Sequence, residues 1–201
     1  KNNNELDLAL VATEDQKPVS AAAVFTSNKM TAAPVLVSRK HLEATGGTAS
    51  TVVLNSGNAN AATGEQGLLD AERMCQLTAQ GLGCESSEVL VCSTGWIGYP
   101  LPMEEIAYGI KSAIDSLKDD QGTVAAKAIM TTDTVPKNTL VKAKGFSVGG
   151  ISKGAAMLQP NMATMLSVLT TDAAINPQEA TRLLQKAVSV SFNCLTVDGA
   201  E

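Results

Sequence analysis

Thr164 stands in the run "NMATML", with a small residue, Ala163, before it and large apolar residues around it. A threonine hydroxyl is a poor nucleophile until a base takes its proton. The chain offers one histidine, His41, and no legible Ser-His-Asp pattern. One solution needs no imidazole. A backbone cut ahead of the threonine frees its α-amine, whose ordinary pKa lies near about 8, to act as the base. The small Ala163 leaves room for the hydroxyl to attack its carbonyl. The plain alternative is a buried helix or strand segment, which composition alone favours.

Two other stretches bear on the same chemistry. "CSTGWIG" (Cys92 to Gly98) follows the apolar "EVLV". At a strand exit, the Thr94 hydroxyl and the Gly95 amide can point at one oxygen, as an oxyanion hole requires. An ordinary strand-to-loop turn is the rival reading. "GGISKGAAMLQPNMATMLSVLTTDA" (Gly149 to Ala173) carries one cation, Lys153, and no other charge before Asp172. A lone cation in apolar surroundings is costly unless an anion meets it, and a substrate carboxylate would serve. Two more polar, small-residue segments are "NSGNANAATG" (Asn55 to Gly64) and "AIMTTDTVPK" (Ala128 to Lys137). Neither "GNANAATG" nor "GGISKG" has the spacing of a nucleotide-binding loop. A tight polar turn is the plain reading of the first.

Several elements must hold these segments. "LDLALVA", "SAAAVFT", "APVLVS", "STVVLNSG" and "EVLVCST" read as short strands bounded by turn residues. "GEQGLLDAERMCQLTAQGLG" reads as a helix with Leu69, Met74, Leu77 and Leu82 on one face and Gly83 as its stop. "PLPMEEIAYGIKSAIDSL" is the clearest helix, its stripe being Met103, Ile106, Ile110, Ala113 and Leu117. "AAKAIMTTD" suits a short helix or turn. "NTLVKAKGFSVGGIS" suits a hairpin turning near Gly145. "NPQEATRLLQKAVSVSF" suits a helix capped by Asn176, with Leu183, Leu184, Ala187 and Val188 inward. Strict βαβ alternation is absent, so an α+β, layered α/β fold is expected.

Composition narrows the partners. Of 201 residues, 44% are hydrophobic but only 3% aromatic, so the core is aliphatic and a base-stacking surface is not expected. The net charge of -5 argues against nucleic acid and anionic membranes. Cys75, Cys84, Cys92 and Cys194 form no CxxC pair, and His41 is the single imidazole, so no metal site is expected. Reduced thiols suit a cytoplasmic setting, or an organelle matrix or stroma in a eukaryote. No apolar run reaches membrane-spanning length.

"NSGNANAATG", "CSTGWIG", "AIMTTDTVPK", the Gly149–Ala173 stretch and "SFNCLTVDG" occur in this order. Together they resemble the ornithine acetyltransferase family, also called the glutamate N-acetyltransferase or ArgJ family, of arginine biosynthesis. The resemblance covers nearly the whole chain. It implies a precursor that cleaves itself between Ala163 and Thr164. Residues 1–163 would then belong to an α chain, and 164–201 would begin a β chain. The fold implied is two packed β-sheets between helices, of the self-processing N-terminal-threonine type. The activity implied is transfer of acetyl from N-acetylornithine to glutamate through an acetyl-threonine on Thr164, with Thr94 and Gly95 as the oxyanion hole and Thr131, Lys153 and Thr164 on substrate. Some members also take acetyl-CoA as donor; no resident cofactor is implied. Partners implied are these small molecules and the protein's own β chain, in an α/β hetero-oligomer. Members carry a further C-terminal portion about as long as this chain, so a fragment of a longer precursor is expected. A related self-cleaving amidase or aminopeptidase is the rival enzyme, and a ligand-binding module without turnover is the non-enzymatic rival.

Overall fold

In a computed structural model, residues 5–159 and 164–199 are described. Strand β1 (Leu8–Ala12) pairs antiparallel with β4 (Thr51–Asn58), and β4 pairs parallel with β5 (Val89–Trp96). These three form the central sheet, in the order β1-β4-β5. Between them in sequence lie β2 (Val19–Ser20) and β3 (Thr48–Ala49), a two-residue ladder, and helix α1 (Ala33–Ala44). Helix α2 (Gly64–Leu82) makes the crossover from β4 to β5. Next come α3 (Met103–Asp115) and the short α4 (Gly122–Ala128). A second sheet is an antiparallel meander of β6 (Lys137–Ala143), β7 (Phe146–Lys153) and β8 (Leu166–Thr171). Helix α5 (Pro177–Ser189) follows.

Side-chain alternation assigns the two faces of the central sheet. Val53, Val89 and Val91 point to one face and pack with Ala71, Met74 and Cys75 of α2 and Ile106 and Ile110 of α3. Ala9 and Leu54 point to the other and pack with Ala126, Ala128 and Ile129 and with Ile151 of β7. The two sheets therefore meet through an apolar layer to which α4 contributes Ala126 and Ala128, while α1 to α3 cover the outer face of the central sheet.

Several sequence expectations need correction. "APVLVS" is not a strand but the first half of α1. Pro34 occupies its first turn, where a missing N–H costs nothing, and Ala33, Val37 and His41 recur at four-residue spacing on a buried face. Beyond Ser20, "SAAAVFT" forms no regular element. Leu69 is exposed rather than inward on α2, as are Leu183 and Ala187 on α5. Only Val188 is fully buried on α5. Strand β8 starts two residues after Thr164, at Leu166, and is half-buried, then exposed. Other local expectations hold. Gly83 ends α2 in the left-handed conformation, Gly145 turns the β6–β7 hairpin at φ 90°, and the Asn176 side chain accepts from the Glu179 amide at 2.8 Å.

This burial pattern predicts unequal truncations. Met74→Ala removes a fully buried side chain and should cost about 2–5 kcal/mol. Leu183→Ala, at an exposed position of a clear apolar stripe, should cost less than about 1 kcal/mol. Urea unfolding of the two variants checks the contrast.

Candidate active site

The site lies where the C-terminal end of β5 meets the end of β7. Thr94 shares a face with Cys92 and points into the layer between the sheets; it is buried. Lys153, the last residue of β7, is only 3% exposed, and its Nζ donates to Thr94 Oγ1 at 2.9 Å. The direction of that bond is forced, because an ammonium has only donors. The Thr94 oxygen is thereby used as acceptor, and its own hydrogen remains for something else. A hydroxyl that accepts from a cation is polarised into a better donor.

Gly95 follows at φ 133°, in contact with the parallel strand β4. A Cβ at Gly95 would lie 2.3 Å from the Gly57 carbonyl carbon and 2.6 Å from the Asn58 nitrogen, so only glycine fits. The segment around Gly57 is held by its own polar network. Asn55 Nδ2 donates to Asn58 O at 2.9 Å, Asn58 Nδ2 donates to Pro100 O at 2.9 Å, and Asn60 Nδ2 donates to Gly67 O at 2.8 Å. "NSGNANAATG" is thus a rigid backing for Gly95, more than a tight polar turn. Cys92 offers no rival nucleophile, since burial pushes its thiol up to about 12.

Asp133 ties the loops together. Its carboxylate accepts from the Thr131 amide at 3.3 Å and the Gly154 amide at 2.9 Å, and it pairs with Lys137. Burial opposes its charge, yet Lys137 and the two amides outweigh burial and hold the carboxyl below its ordinary range. For Lys153, burial pushes the ammonium below the ordinary lysine range, Asp133 pulls it back up, and Lys137 pushes it down. Among the sequence-predicted residues, Thr94 and Lys153 are in direct contact, Gly95 is adjacent, and Thr131 is joined to the Lys153–Gly154 corner through Asp133. Asp133 itself was not singled out in the sequence. Its signal was there, as the one carboxylate of "AIMTTDTVPK", four residues before Lys137.

Thr164 is placed by sheet register. Lys153 pairs with Leu166, so Thr164, two residues earlier, lies at the Lys153 end of the second sheet. Its φ is 55°, a conformation that a β-branched residue adopts only under strain. Ala163, the other half of the expected scissile pair, lies outside the described residues. Upstream, the amides of Met157 and Leu158 donate to the Asp198 carboxylate at 2.6 and 3.0 Å, and Val197 N donates to Leu158 O at 2.9 Å. "SFNCLTVDG" therefore fastens the chain at Met157 and Leu158.

Where the two sheets meet, a buried ammonium donates to a threonine hydroxyl beside an obligatory glycine. The ArgJ family model matches residues 1–201, and the chain belongs to that family. It is 48% identical to the arginine biosynthesis bifunctional protein ArgJ of Geobacter sulfurreducens over 99% of this chain and 51% of that protein. It is 49% identical to the protein of the same name from Chlorobaculum tepidum, over 96% of this chain and 48% of that one. The chain thus spans about half the length of the curated relatives it matches. The structure is similar to that of an ornithine acetyltransferase complexed with ornithine from Mycobacterium tuberculosis. There the TM-score is 0.74 and the identity 40%, over 83% of this chain and 87% of that one. It is also similar to a Bacillus halodurans ArgJ structure, with TM-score 0.69 and 37% identity over 82% and 85% of the two chains. The mixed fold with packed sheets expected for the family is the fold observed.

The Asp133 network has a measurable sign. Its stabilisation is full above the ordinary carboxylate pKa of about 3.9 and is lost as pH falls through the lower folded value. Asp133→Asn should flatten that acid limb of the stability profile. It should also lower the Lys153 pKa further, since the carboxylate that pulls it up is gone. Stability against pH, and a proton-carbon titration of labelled lysine, read the two effects.

Proposed function

We propose that this chain carries the nucleophile and the oxyanion donors of a glutamate N-acetyltransferase that takes acetyl from N-acetylornithine. The observation that carries the reading is the forced Lys153-to-Thr94 hydrogen bond beside Gly95, at the sheet end where Thr164 is strained. The relatives' shared name, which includes arginine biosynthesis, and the ornithine in the Mycobacterium tuberculosis structure support the substrate assignment. They favour this reading over the amidase alternative.

The reaction begins with maturation. Thr164 Oγ1 attacks the Ala163 carbonyl, the peptide becomes an ester, and water releases Thr164 with a free α-amine. Positive φ at Thr164 raises the ground-state energy of the uncut chain, by about 1–3 kcal/mol for such a conformation. In transfer, the α-amine takes the hydroxyl proton as Oγ1 attacks the acetyl carbonyl of N-acetylornithine. The tetrahedral oxyanion accepts from Thr94 Oγ1–H and the Gly95 amide. On collapse, the proton passes to the ornithine nitrogen, which leaves. The glutamate amine then attacks the acetyl-threonine by the same path in reverse. Lys153, Thr131 and Thr164 contact substrate, and Lys153 also polarises Thr94.

The word bifunctional in the relatives' names favours acetyl-CoA as a second donor to the same threonine. The protein then needs no resident cofactor. Residues 1–163 form the α part and 164–201 the start of the β part, associated as a hetero-oligomer. Among the described residues no helix is long and apolar enough to cross a membrane.

In the complete protein, Thr164→Ala should abolish both chain scission and acetyl transfer, while Thr164→Ser keeps a hydroxyl and should retain part of each. Denaturing mass spectrometry reads the scission, and acetylglutamate formation reads the transfer. Transfer by the alanine variant would rule the mechanism out.

A further inference from the structure

Thr94 can serve as an oxyanion donor only while its own hydrogen is free, and the charge on Lys153 decides whether it is. As an ammonium, Lys153 donates to Thr94 Oγ1 at 2.9 Å and leaves the hydroxyl hydrogen for another acceptor. As a neutral amine, Lys153 gains a lone pair, and the buried hydroxyl beside it would donate to that nitrogen instead. The hydrogen bond would survive with its direction reversed, and the oxyanion donor would be lost.

The groups that choose between these two states can be named. Lys153 is buried, and among the described residues no carboxylate lies within ion-pair distance of it. Burial favours the neutral amine, Asp133 favours the ammonium, and Lys137 sides with burial. On the β5 side, Cys92 shares the face of Thr94 but adds no charge, since burial pushes its thiol up to about 12. At the same sheet end, scission would add the α-amine of Thr164. Asp133 is placed to act steadily. Its carboxylate accepts from the amide of Gly154, the residue next to Lys153, at 2.9 Å, and from the Thr131 amide at 3.3 Å.

We propose that Asp133 is a positioning residue for acetyl transfer: its fixed negative charge beside the Lys153–Gly154 corner keeps the Thr94 hydrogen directed at the oxyanion. Asp133 acts through Lys153 and not on the reacting atoms. The inference rests on the reading of Thr94 as an oxyanion donor in a glutamate N-acetyltransferase.

The test is acetylglutamate formation from N-acetylornithine by the complete, matured protein, with kcat measured against pH. The acid limb belongs to the Thr164 α-amine, which must be neutral to take a proton. The alkaline limb reports loss of the Lys153 charge. Asp133→Asn should move the alkaline limb to lower pH. Between the old and new limbs, kcat should fall towards the loss of one oxyanion donor, about 100- to 1,000-fold. Asp133→Glu keeps the charge and should return the limb towards the wild-type position. Lys137→Met removes the cation that favours the neutral amine and should move the limb the opposite way, to higher pH. A merely structural role for Asp133 would lower kcat alike at every pH and give no opposed shifts. The proposal is overturned if Asp133→Asn leaves the alkaline limb in place, if Asp133→Glu moves it as far as Asp133→Asn, or if Lys137→Met moves it down. Should Asp133→Asn fail to fold, the sign of the Lys137→Met shift decides. Absence of acetylglutamate from the wild type would overturn the activity and this proposal together, whereas transfer with an unmoved limb overturns the proposal alone.

Discussion

A buried ammonium with a hydroxyl as its hydrogen-bond acceptor is the constraint around which this molecule is arranged. Lys153 closes the second sheet and Thr94 lies near the end of the first, so one hydrogen bond spans the layer between them. Burying a charge there is expensive. The cost is tolerated because the cation is not alone: Asp133 sits within electrostatic reach and is itself fastened to the next residue, Gly154. Move either sheet relative to the other and the charge loses its hydroxyl while staying out of water.

The same constraint explains features that otherwise look decorative. Gly95 lets β5 approach β4 closely just where a side chain would run into the backbone of Gly57 and Asn58. The asparagines after Gly57 then lock the β4 end from the opposite side. Rigidity in these supports suits the proposed role of Thr94 and Gly95, because oxyanion donors act through being placed in advance, without reorganising as charge develops.

Much of this was legible in the sequence. Thr94, Gly95 and Lys153 announce themselves, two by following a strand and one by being a single charge in a long neutral stretch. The central strands and α2, α3 and α5 follow from apolar period and caps. What the sequence hid, it hid for physical reasons. "APVLVS" is β-branched and short, and only the later His41 reveals the four-residue period that makes it helical. The stripe of α5 is real, yet Leu183 and Ala187 stay exposed, because periodicity says that a face is apolar and not whether this chain covers it. The spacing to Lys137 hinted at a pair for Asp133, but its other two partners are backbone amides, which have no letter in the sequence. Family resemblance supplied the scissile bond; residue types alone could not choose it over a buried strand.

The clamp of Asp198 on Met157 and Leu158, together with the six paired positions of β7 and β8, gives a cut ahead of Thr164 an unusual character. The strands on either side of the cut are neighbours in one sheet, and the stump on the upstream side is pinned by residues from downstream. Scission would thus change the wiring of the polypeptide without changing its architecture. The two products would be obliged to stay together, each completing a sheet that the other cannot finish. Maturation of this kind is a one-way loss of chain continuity. Once denatured, the matured protein would have to find its own other half by diffusion, where the uncut precursor had it on a short tether.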